Sequence, residues 1–222
     1  LNGGEPVLRS TLGSRGVRDP HVVRSPDGDR FYLIATDLRV FSNRDWDELQ
    51  RHGSRSIVVW ESADLVNWDE GRLVEVAPPE AGNAWAPEAI WDPEQQAFLV
   101  HWSSTLYDNP EHRGDSYHRI LCATTRDFRS FSEARVWIDK GWQTIDATVI
   151  EHRGLYYRFV KDERTRTADT PQGKSVFSEV APSLMAQNWT PLADGIGLGA
   201  ISQGEGRLVY KSDMGKKVCP WI

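Results

Sequence analysis

The sequence holds only two cysteines in 222 residues, Cys122 and Cys219. Their contexts are unrelated and their spacing fits neither a metal site nor a redox pair, so neither chemistry is expected of them. No apolar run approaches the ~18 residues of a membrane span, so no membrane partner is expected. Nothing reads as a long amphipathic helix. Positive charge is in deficit, with 26 Lys and Arg against 32 Asp and Glu, a formal charge of −6 and a pI of about 5.5. A phosphate backbone is therefore not the expected partner. The chain opens on Leu1 without a basic segment followed by an apolar one, so no signal peptide is expected and the compartment stays open.

Aromatics are abundant. Ten tryptophans in this length suit packing between stacked sheets, or stacking on sugar rings, whose C–H faces sit well on indole. The order of the aromatics comes from a layout that returns four times. Val17-Arg18-Asp19-Pro20-His21-Val22-Val23-Arg24 leads through a turn, Ser25 to Asp29, into the apolar run Phe31 to Thr36. Ala86-Pro87-Glu88-Ala89-Ile90-Trp91 leads to Phe98-Leu99-Val100-His101-Trp102. Asp146-Ala147-Thr148-Val149-Ile150 leads to Tyr156 to Val160, and Gly204-Glu205-Gly206 opens the run Leu208-Val209-Tyr210. The copies start about sixty residues apart, a length suited to one four-stranded propeller blade with generous loops.

A second pattern lies between the copies. Ser62-Ala63-Asp64-Leu65-Val66-Asn67-Trp68 reads as a tight connection with Leu65 and Trp68 tucked inward. Phe128 and Phe131 stand at the matching places of the second copy, and Leu184 and Trp189 at those of the third. Asp37 to Ser54 is a polar excursion, expected as a rim loop with a helical turn. The expected fold is all-β: a single propeller domain over residues 1–222, with three blades, part of a fourth, and the C-terminal side incomplete. Pro220 is awkward inside a central strand of that fourth blade because it removes a ladder donor.

Equivalent positions of successive blades converge on a propeller's axis. Asp19, Asp146 and Glu205 all stand at or beside a blade start, and so are expected in one funnel although far apart in sequence. The whole set, Arg18-Asp19-Pro20, Trp85-Ala86-Pro87-Glu88, Ile145-Asp146-Ala147-Thr148 and Gly204-Glu205-Gly206, resembles glycoside hydrolase family 43 in order and spacing. That family folds as a five-bladed propeller and acts on arabinose- and xylose-containing polysaccharides. The resemblance implies Asp19 as general base, Asp146 as an auxiliary acid that tunes and orients, and Glu205 as general acid. It implies an oligo- or polysaccharide substrate, a secreted or periplasmic setting and no cofactor, with a central calcium belonging to the complete family fold. Arg207 departs from the family's usual proline after the Glu-Gly of the fourth motif.

Such an assignment suits inverting hydrolysis, which needs one carboxylate to deprotonate water and a protonated carboxyl for the leaving oxygen. A like-charged neighbour such as Asp146 raises the acid's pKa, as that role requires. Trp85, and Trp102 deeper in its blade, are the substrate-binding candidates; Arg158 is a support residue. Glu88 is a competing acid whose offset from the blade start differs from that of Asp19, which favours structural hydrogen bonding. His21 and His101 are expected as satisfied core histidines rather than metal ligands. Two other readings remain: a fructan-active five-bladed hydrolase, and a non-catalytic glycan-binding or inactive propeller.

Overall fold

The computed structural model describes residues 2–41 and 44–200. Among them, twelve strands form three antiparallel four-stranded sheets, each in chain order. The first blade comprises β1 (Val17–Arg24), β2 (Phe31–Asp37), β3 (Ser56–Ser62) and β4 (Arg72–Glu75). The second comprises β5 (Trp85–Asp92), β6 (Ala97–Thr105), β7 (His118–Thr125) and β8 (Arg135–Ile138). The third comprises β9 (Thr144–His152), β10 (Leu155–Asp162), β11 (Val176–Ala181) and β12 (Thr190–Ile196). The expected blade starts at Asp19, Pro87 and Asp146 each fall inside an innermost strand. The fourth start, at Glu205, lies outside the described residues.

Burial explains why the middle strands are nearly continuous apolar runs. β5 packs against β1 and β2, while β9 packs against β5, β6 and β7. The middle sheet is thus covered on both faces, and all nine residues of β6 are buried. A strand in that setting loses the polar alternation of a half-exposed one. Tyr32, Phe98 and Phe128 form the aromatic centre of the seam between the first two blades, with Tyr32 and Phe128 ring centroids 4.4 Å apart.

The connection pattern is also present, with one correction. The side chain of Ser62 or Thr125 accepts from the N–H three residues on, at Leu65 or Phe128, and Asp64 or Asp127 accepts two further N–H groups. Phe128 and Leu184 are fully buried as expected, but Leu65 is 45 % exposed and Trp68 only half-buried. The reason is directional packing. Phe128 lands on Tyr32 of the first blade, and Leu184 on Leu99 and Cys122 of the second. Leu65 has no preceding blade among the described residues to land on.

Register fixes which loops surround the axis at one end. Val17 pairs with Asp37, Trp85 with Ser103 and Thr144 with Asp162. The links following β2, β6 and β10, residues 38–55, 106–117 and 163–175, therefore emerge beside the starts of the inner strands. The first contains the expected helical turn as α1 (Trp46–Arg51), capped by the Asp45 side chain, which accepts from Glu48 N–H.

Candidate active site

Each inner strand is broken at the same place. The ladder slips between Arg18 and His21, between Trp85 and Glu88, and opposite Phe159 and Lys161 in the third blade. At the slip stand Asp19, Ala86 and Asp146, with φ of 50°, 47° and 51°. A left-handed conformation costs an L residue about 1–2 kcal/mol, so three in one layer mark a place where geometry outweighs local stability. The bulge turns these side chains out of the ladder toward the axis.

A hydroxyl layer holds the bulges. Thr36, paired with Arg18, donates from Oγ1 to Asp19 Oδ2 at 3.0 Å and accepts from Ala86 N–H at 2.8 Å. Ser103, paired with Trp85, accepts from Asp146 N–H at 3.1 Å. Both residues are fully buried. One blade's second strand thus fixes the next blade's bulge, and Thr36 orients the first aspartate as well. The matching place in the third blade, opposite Ile145, holds Lys161, whose buried Nζ lies 3.0 Å from Glu163 Oε2.

The two aspartates of the bulge layer line one cavity of about 680 Å³. Asp19 and Arg18 come from β1, Trp85 from β5, Ile145 and Asp146 from β9, and Lys161 from β10. Leu38, Trp46 and Gln50 from the first rim loop, with His118, Gln143 and Glu163, complete the wall. Asp19, Asp146 and Trp85 are therefore brought together on one cavity wall. Trp102 is not: it has no exposed surface and packs in the core with Tyr32, Ile34 and Phe98. Strand alternation sends Ser103 toward the third blade and its neighbour Trp102 the opposite way, into the seam with the first. Arg158 is a support residue, clamped by Glu179 at 2.8 and 2.7 Å and stacked over Trp189 at 4.1 Å. Glu205 lies outside the described residues.

Beneath the bulge layer, two residues further along each inner strand, His21, Glu88 and Thr148 meet. Glu88 hydrogen-bonds Thr148, and its Oε2 lies 3.9 Å from His21 Nδ1. Burial pushes the Glu88 carboxyl up to about 8, with the Asp146 charge adding to the effect and Thr148 opposing it. Burial likewise pushes His21 down to about 4, against a hydrogen bond to the Ala89 carbonyl. Burial thus favours the neutral form of both groups, and their contact is a weak one at 3.9 Å rather than a tight ion pair. His101 departs from expectation differently. It is buried beside Trp137, its pKa is lowered to about 3 by burial, and neither ring nitrogen has a hydrogen-bond partner among the described residues. His118, lowered to about 4 by burial, has its Nε2 3.3 Å from the Asn83 amide and its ring 5.3 Å from Trp85.

The described residues contain no group of three metal-ligating His, Cys, Asp or Glu side chains. No metal role is assigned to them.

The sequence reading missed Trp46, His118, Lys161 and Glu163. The last two carry a signal in retrospect, because they follow the axis-facing register that Thr36 and Ser103 define.

Comparison with known proteins gives four findings. A family model described as "Probable glycosyl hydrolase domain", related to glycoside hydrolase family 43, matches residues 1–222. An α-L-arabinofuranosidase of Bifidobacterium longum subsp. longum is 39 % identical over 201 residues, covering 83 % of this chain and 19 % of that protein. A thermostable family-43 glycoside hydrolase superposes with TM-score 0.57 at 20 % identity, over 89 % of this chain and 61 % of that one. The catalytic domain of a Coprinopsis cinerea family-62 α-L-arabinofuranosidase gives 0.58 at 14 % identity, over 94 % and 61 %. At such identities the two structures speak for the propeller fold alone. The chain spans about a fifth of the curated relative and three fifths of the solved chains.

Proposed function

This chain belongs to the glycosyl hydrolase domains related to glycoside hydrolase family 43, and we propose that it cleaves arabinosyl or xylosyl linkages in plant-type polysaccharides by single displacement with inversion. One observation carries the reading. Asp19 and Asp146, far apart in sequence, occupy the same strained bulge position of two blades and line one cavity with Trp85.

In this reading Asp19 is the general base. The Thr36 hydroxyl occupies its Oδ2 and fixes the carboxylate plane, so the carboxylate can take a proton from a water positioned over the anomeric carbon. The water oxygen bonds to that carbon as the glycosidic C–O bond breaks, and a protonated carboxyl gives its proton to the leaving oxygen. The resemblance assigns that acid to Glu205, with Asp146 as the charge that keeps it protonated. Glu88 also holds a proton near neutrality, but it is not on the cavity wall. Trp85 would stack against the sugar's C–H face.

The test is a panel of nitrophenyl glycosides and polysaccharides, with the anomer of the first product followed by NMR. Turnover of α-L-arabinofuranosides or β-D-xylosides with inverted product is expected. Retained configuration would overturn single displacement. Sugar binding without turnover would make this a glycan-binding propeller.

A further inference from the structure

We propose that Trp46 on helix α1 is a platform for the sugar on the leaving-group side of the scissile bond, so that this helix selects polymeric or oligomeric substrates. The proposal rests on the glycosidase reading above and adds a residue and a subsite to it.

Helix α1 has no buried residue, so no core packing explains its placement. Its position is nevertheless set by polar and aromatic contacts to the second blade. Arg51 Nη1 donates to the carbonyls of His112 at 2.7 Å and Gly114 at 3.0 Å, and the guanidinium lies 5.2 Å from the Tyr107 ring. Thr105 Oγ1 donates to the Gln50 carbonyl. The backbones touch at Gly82, where a Cβ would meet the Gln50 carbonyl oxygen at 2.2 Å. Six residues with little intrinsic helical stability are thus fastened across the neighbouring blade.

What this anchoring holds in place is Trp46. Its indole is 44 % exposed, lines the cavity, and stands edge-on to Trp85 at 6.1 Å and 83°. Arg18, beside Asp19, places its guanidinium 5.9 Å from the Trp46 ring. Beyond those two contacts the indole leaves much of its surface open in a polar cavity, and so offers a flat apolar face to a sugar's C–H groups. The place of α1 in the fold points to the sugar. Asp19 and Asp146 sit in the bulge layer of the inner strands, whereas α1 belongs to the rim loop between β2 and β3. A ring seated between the aspartates therefore leaves Trp46 for the next residue of the chain.

The test compares Trp46→Ala and Trp46→Phe with the native full-length protein on α-L-arabinofuranosyl fluoride and on an arabinosylated oligosaccharide. Fluoride is too small a leaving group to reach the rim. Trp46→Ala should lower kcat/KM on the oligosaccharide about tenfold, mainly through KM, and change the fluoride reaction less than twofold. Trp46→Phe should recover most of the loss. Equal losses on both substrates would overturn the proposal by placing Trp46 at the reacting sugar or in the fold, as would no loss on either. Calorimetric titration with the oligosaccharide separates this proposal from the function itself. Binding weakened by Trp46→Ala with no turnover of either arabinosyl or xylosyl oligosaccharides would keep Trp46 as a sugar contact but sink both its leaving-group placement and the hydrolase. Turnover indifferent to Trp46 would keep the hydrolase and sink the platform.

Discussion

At the bulge, the second blade differs from its two neighbours. Blades one and three put a carboxylate there, Asp19 and Asp146, whereas blade two puts Ala86 in the same left-handed conformation. Its acid, Glu88, stands two residues deeper, against His21 and Thr148 rather than on the cavity wall. Two residues of displacement change the chemistry available to a carboxylate. Below the bulge, loss of solvent raises the pKa toward neutrality and the group becomes a neutral hydrogen-bonding element. At the bulge, a carboxylate faces the space a substrate would fill. In the proposed function, position within the blade, more than residue type, separates Asp19 and Asp146 from Glu88.

The largest expected effect tests that division directly. Asp19→Asn keeps the shape and removes the base, and should lower kcat/KM by about 10²- to 10⁴-fold, the usual worth of a positioned base. Glu88→Gln should stay within about threefold of native at pH 6.5, because a neutral amide replaces a neutral acid. Equal losses, with native circular dichroism in both variants, would erase the distinction between the two layers.

The three described blade starts were legible in the sequence, because each leads into an apolar run, but the bulges at them were not. Asp-Pro, Ala-Pro and Asp-Ala keep that grammar whether or not an acid is present. Trp102 was misread because every residue of β6 is buried, so the run has no polar phase to tell which side chains face the axis. Ser103, one residue away, makes the axial contact instead. Trp46 was passed over because its loop packs through Gln50 and Arg51 onto parts of the neighbouring blade that are distant in sequence, and no local pattern announces such an anchor. Leu65 was expected inside because the repeat ignores order: each connection packs on the blade before it, and Leu65 comes first.

That last asymmetry gives the next effect. Phe128→Ala should destabilise by about 3–5 kcal/mol, since it empties the aromatic seam between the first two blades. Leu65→Ala, at the equivalent place in blade one, should cost less than about 0.5 kcal/mol in the described fold. Urea unfolding of both variants is the measurement. A Leu65→Ala cost approaching that of Phe128→Ala would mean that blade one's connection is covered in solution, as another blade would cover it.

The smallest expected effect returns to Glu88 and its protonation. Its folded pKa, about 8, lies above the ordinary value of 4.5, so the folded state binds the proton more tightly than the unfolded chain. The associated stability is fully present below about pH 4.5 and is lost progressively as pH rises to about 8. Each unit of difference is worth about 1.4 kcal/mol at the limit. Because 18 % of the Glu88 side chain meets solvent, about 2 kcal/mol is the expected total after screening. Glu88→Gln cannot ionise, so its stability should match that of the native protein near pH 4.5 and exceed it by about that amount at pH 8. His21 runs the other way. Its folded pKa of about 4, below 6.5, gives stability present above pH 6.5 and lost as pH falls toward 4, equally in both proteins. The difference between urea midpoints measured at pH 4.5, 6.5 and 8 therefore isolates Glu88. Parallel curves across that range would mean that Glu88 is ionised in the folded protein at neutral pH, and the two carboxylate layers would then differ in place but not in charge.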